Sequence, residues 1–111
     1  MDEKKLIKVL LVEPFDKPKI ITIENNYQAI SEIICGDVDE YMPFEDDVAL
    51  LCNADGKRLS LSASHTVTDI ETGKTELIYG SFILVGASEF DTKYHSLDDN
   101  LIDKYMDLFS K

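Results

Sequence analysis

The chain has 111 residues, is 44% hydrophobic and 30% charged, and holds five glycines and three prolines. That composition suits one folded domain (residues 1–111) and excludes collagen-like, proline-rich and disordered classes. Twenty-two acids against eleven bases leave a formal charge of −11. A nucleic-acid backbone or an anionic membrane surface is bound by clustered Lys and Arg, and this chain has a single Arg and no basic run. Direct nucleic-acid binding and membrane association are therefore not expected, and a partner recruited by charge is basic.

The start, Met1-Asp2-Glu3-Lys4-Lys5, is charged and leads into a strand pattern, not a secretory signal, so a cytoplasmic location is the expectation. Leu6–Val12 is an apolar, β-branched run of the kind buried on both faces of a sheet. Pro14 and Pro18 bracket a short polar connection, and Lys19–Glu24 is a second strand, suited to a hairpin with the first. The period then changes. Asn25 or Asn26 offers a helix cap, Tyr27, Ile30, Ile33 and Ile34 make one face, and Gly36 supplies a left-handed stop. This predicts a helix over about 27–35.

An acidic segment follows. Residues 37–56 hold seven acids and no base. Within it Val38–Met42 reads as an edge strand, because Pro43 cannot donate to a ladder. Val48–Cys52 is a short apolar strand, Asn53-Ala54-Asp55-Gly56 carries a turn signal with Gly56 free to take positive φ, and Arg58–Leu61 is its return partner. Residues 62–76, rich in Ser, Thr, Asp and Gly, read as a long loop with its tip at Thr72-Gly73-Lys74. Leu77–Gly86 is the last strand, with Gly80 marking a bulge. Ser96 and Asp99 approximate a capping box before a helix at about 97–109. Its stripe is Leu97, Leu101, Tyr105 and Leu108, widened by Ile102 and Phe109. The order β-β-α-β-β-β-β-α is that of an α+β domain: a mainly antiparallel sheet of five to six strands under two helices.

With these elements in order, the sequence resembles a small family known only as a domain of unknown function, with members in phages and conjugative elements of Gram-positive bacteria. The likeness is carried by Lys8–Pro14, Asp46–Asn53, Gly80–Gly86 and the stretch from Ser96-Leu97 to Lys104-Tyr105, and spans roughly residues 6 to 109. These are strand and turn signatures. They imply a mobile-element setting and supply neither an activity nor a catalytic residue. Where many members carry a Pro-Pro-Asn-Arg-like segment, this chain has Ser62-Ala63-Ser64-His65, so no role is carried over there.

The acidic segment admits three readings. It is a solvated edge that blocks edge-to-edge pairing and keeps the protein soluble. Or it is a surface that imitates nucleic-acid phosphates in a basic groove of a host protein, built on Asp37, Asp39, Glu40, Glu45, Asp46 and Asp47 with Tyr41 and Phe44 as aromatic anchors. Or it is a metal site, against which stands the missing alternating spacing and turn glycine of an EF-hand loop. Cys35 and Cys52 lie in apolar runs and read as reduced, buried core thiols, so pairing either with His65 or His95 for nucleophilic catalysis is not expected. Both histidines read as exposed and unpaired. No phosphate-cradling glycine motif is present, and Phe90–Tyr94 packs under the last helix or lines a partner contact. The expectation is a non-enzymatic interaction protein with no cofactor and no metal, acting on a basic host protein. The alternative is a small-ligand or regulatory module with a pocket between the sheet and the C-terminal helix.

Overall fold

The computed structural model describes residues 6–88 and 91–110, with the backbone alone at Asp91 and Thr92. In chain order the elements are β1 Leu6–Val12, β2 Lys19–Glu24, α1 Tyr27–Ile34, β3 Val38–Tyr41, β4 Val48–Asn53, β5 Ala63–Thr68, β6 Thr75–Tyr79, β7 Phe82–Ser88, β8 Asp91–His95 and α2 Asp99–Phe109. Six strands form one antiparallel sheet in the order β2-β1-β7-β4-β3, with β8 pairing the far end of β7. β5 and β6 form a separate hairpin. The fold is α+β.

β4 is buried along its whole length and β7 along nearly all of it. Neither alternates in polarity because both faces of the sheet are covered. Leu10, Val12, Val48, Leu50, Phe82 and Leu84 point to one side, where Ile102, Tyr105 and Phe109 of α2 meet them together with Val67 and Ile78 of the β5–β6 hairpin. Ile7, Val9, Ala49, Leu51, Ile83 and Val85 point to the other, against Ile30 and Ile34 of α1. The period-two side-chain alternation of each strand thus feeds two cores at once.

Each helix is set by contacts beyond its own sequence. α1 begins at Asn26, whose side-chain Oδ1 accepts the Ala29 N–H at 2.8 Å. It ends on Cys35, not Gly36, in the left-handed conformation (φ 63°). Gly36 is required for space, since a Cβ there would lie 2.6 Å from the Asn53 amide nitrogen. That buried amide donates to the carbonyls of Ile34 and Cys35, so β4 caps the helix. The predicted capping box at α2 does not form. Ser96 instead accepts the Lys8 N–H at 3.0 Å, Asp99 pairs with the Lys8 ammonium at 2.6 Å, and Leu97 donates to the Lys8 carbonyl. The buried stripe of α2 centres on Ile102, Tyr105 and Phe109, and Leu108 is exposed.

The middle of the chain departs furthest from expectation. Residues 54–60 are turns, and Arg58–Leu61 is no strand. Leu59, Ser60 and Leu61 bond back to Asp55, Lys57 and Gly56, which coils the segment under Tyr79. Gly56 is needed there because a Cβ would meet the Tyr79 carbonyl at 2.6 Å, not for a positive φ. The predicted loop 62–76 is mostly β5 and the start of β6, closed by a tip at 69–74. Its inward apolar residues are sparse, so one solvated face made it look like loop. Gly80 (φ 84°) is no bulge but the corner at which the chain leaves the hairpin for the main sheet. β8 has no counterpart in the expected order. Its backbone carries residues 91–94 of the unplaced Phe90–Tyr94 group, and Phe90 lies outside the described residues.

Candidate functional site

β3 is an edge strand, as its neighbouring proline suggested, and its residues divide between the two faces. Val38 packs on the α1 side and Tyr41 on the α2 side. Alternation then puts Glu40 with Val38 and Asp39 with Tyr41. Asp37, just before the strand, accepts the Tyr27 hydroxyl at 3.3 Å. Glu40 lies beside the Tyr94 hydroxyl; burial first and this neighbouring carboxylate second push that phenol up to about 12. The Tyr41 hydroxyl has its pKa raised through burial first, with neighbouring Asp39 next and the charge of Glu76 adding to it.

The edge is also closed. Ala54 donates to the Asp37 carbonyl, so in an antiparallel ladder Asp37, Asp39 and Tyr41 bond to β4 while Val38 and Glu40 turn outward. Val38 N–H is taken by the Tyr27 hydroxyl at 3.3 Å and Glu40 N–H by the Asp39 carboxylate at 3.1 Å. Both outward donors are satisfied within the chain, which blunts the strand as a template for pairing.

The remaining acids are treated differently. Asp46 receives the Lys104 ammonium at 2.6 Å and the Tyr105 hydroxyl at 2.7 Å. The Lys104 hydrogen bond, then that of Tyr105, hold its carboxyl below the usual range. Glu45 lies 3.6 Å from the same ammonium. These two carboxylates fasten the β3–β4 connection to α2. Asp47 is exposed, and its carbonyl takes the Ala87 N–H. Tyr41 and Phe44, expected as aromatic anchors, are half-buried against the α2-side core, with the Phe44 ring 4.7 Å from that of Tyr105. They support the rim from beneath.

Folding adds acids that sequence proximity did not suggest. Ile70 at the hairpin tip donates to the Pro43 carbonyl at 2.9 Å, which lays Asp69 and Glu71 beside the β3–β4 connection. Glu76 of β6 shares a cleft with Asp39, Tyr41 and Cys52. Burial first, then the charges of Asp39 and Glu76, push the Cys52 thiol up to about 12. The signal for this gathering is the lone inward Val67 of β5, in the stretch expected to be loop, paired with Ile78 at the start of the expected last strand. Lys57 lines this same cleft and Lys74 the one beside it, so the rim is acidic with bases interspersed.

Cys35 is exposed, contrary to expectation, because its left-handed backbone at the end of α1 turns it out of the core; Cys52 is buried, and both are free thiols. His65 is half-buried, its ring 5.2 Å from Phe109 and 6.2 Å from Phe82, so it is a packing residue and not an exposed one. His95 is exposed, with Nδ1 3.2 Å from the Ser96 carbonyl. Among the described residues no group of His, Cys, Asp or Glu is arranged to hold a metal ion, and no helix is long and apolar enough to cross a membrane. Beneath α2 the space is filled by Tyr105 and Phe109. The largest described cleft, about 1130 Å³, instead lies on the α1 side and is lined by residues of β1, α1, β3 and β8.

The chain belongs to the family described as a domain of unknown function (DUF3846), whose model matches residues 7–110. No curated protein and no solved structure matches it.

Proposed function

We propose that this chain is an acidic, non-enzymatic interaction protein of a phage or other mobile genetic element. It docks its β3–hairpin rim on a basic surface of a host protein, in the manner of a nucleic-acid mimic. The observation that carries this reading is the approach of the hairpin to the β3 edge. Asp69 and Glu71 come beside the β3–β4 connection and Glu76 shares a cleft with Asp39, while Lys104 is engaged by Glu45 and Asp46. A net negative field steers a basic partner and sets orientation more than it adds affinity. The reading assigns no catalytic residue.

The test is capture from host lysate with the wild type and with D39N/D47N/E76Q, which leaves the Asp46–Lys104–Tyr105 fastening intact. Asn at position 39 keeps an acceptor for the Glu40 N–H. The expected partner carries a nucleic-acid-binding groove, is displaced by duplex DNA, and is lost both at high salt and with the triple variant. A partner retained by the triple variant, or equally at high salt, overturns the reading.

A further inference from the structure

α1 has eight residues and so spans about 12 Å, whereas β1 beneath it, with seven, spans about 23 Å. The helix therefore covers only part of its face of the sheet, and the uncovered part is the large cleft. Its apolar wall is Leu6, Ile7, Ile30 and Val38, and its polar side is β8 with Glu40. Leu6 and Tyr27 are 61% and 59% exposed, so the wall continues out to solvent. The surroundings of Glu40 are built. Tyr94 lines the cleft beside the carboxylate, and the Tyr94 carbonyl is itself fixed by the Asn25 amide at 2.7 Å.

We propose that this cleft binds a small organic cation, a primary amine carried on a branched aliphatic body, with the ammonium at Glu40 and the body along Leu6, Ile7, Ile30 and Val38. A carboxylate offers about four lone-pair positions, and Glu40 is exposed, so an ammonium can reach it beside Tyr94. The −11 charge of the molecule enriches cations at its surface and depletes anions, which favours this sign although Lys93 also lines the cleft. The site lies on the α1 face and does not depend on the rim acting as a docking surface.

The experiment follows backbone amide shifts by NMR during titration with isopentylamine, isopentanol and isovalerate at matched ionic strength. Isopentylamine is expected to move the amides of residues 25–30, 38–40 and 93–96 saturably, and the alcohol and carboxylate are not. E40Q is expected to weaken the amine by about tenfold, as loss of a charge-assisted hydrogen bond does. L6S, an exposed change that leaves the fold intact, is expected to weaken it less. Equal binding of the alcohol or the carboxylate, full retention by E40Q, or no saturable shift with the amine overturns the proposal.

Discussion

The two cysteines, nearly equivalent by sequence context, have opposite fates. Cys52 is locked in β4 with its thiol raised to about 12 by burial and by Asp39 and Glu76, whereas Cys35 faces solvent. A disulfide-exchange reagent such as Ellman's is expected to titrate one thiol in the native protein and both in denaturant. Two fast native thiols would contradict the burial of Cys52. Asp46 is the other residue with a measurable consequence. Its carboxyl is held down by Lys104 first and Tyr105 second, so the stability it contributes is full above the unfolded carboxylate pKa, about 3.9, and is lost as pH falls through the lower folded value. D46A is expected to cost about 1–2 kcal/mol near neutrality, chiefly the Tyr105 bond, and to flatten the acid limb of stability against pH; denaturant unfolding from pH 2 to 7 measures both. Asp46 and Asp47 look identical in the sequence. Which one meets a lysine 58 positions away is decided only when α2 docks.

Among the elements, the hairpin depends most on a single position. Gly80 turns the corner at φ 84°, and a Cβ there would sit 2.8 Å from Leu61 Cδ1. G80A is expected to destabilise by about 1–3 kcal/mol in thermal or denaturant unfolding. G73A, at φ 74° in the open hairpin tip, carries backbone strain alone and costs less. If the two were equal, the crowding against Leu61 would have no energetic weight. β1, β2, β4 and both helices were legible because their apolar periods are regular, whereas β6 and β7 merge into one expected strand, Leu77–Gly86, because only Gly80 and Ser81 separate their apolar runs. β5 was missed because only Val67 of its six residues is buried, and β8 because its polar residues pair with just one end of β7. The capping box at Ser96 failed because a strand 88 residues away offered the serine a backbone N–H.

At the scale of the molecule the net charge of −11 sets the electrostatics. Self-repulsion among unpaired carboxylates is screened over about 10 Å at 0.1 M salt. Adding sodium chloride from low ionic strength to about that level is therefore expected to raise the melting temperature, before any specific ion effect enters. A fall on adding salt would mean that attractive pairs such as Lys104–Asp46 outweigh the repulsion. The amino-acid sequence by itself determined the class of fold, the positions of its most regular elements and the sign of the charge, because periodicity and composition are local or additive properties. Tertiary structure alone decided that Glu76 meets Asp39, which acids are taken by Lys104, and that the large cleft opens beside α1 and not beneath α2. Those outcomes turn on residues distant in the chain meeting as the two faces of one sheet are covered, and no window of sequence holds both partners.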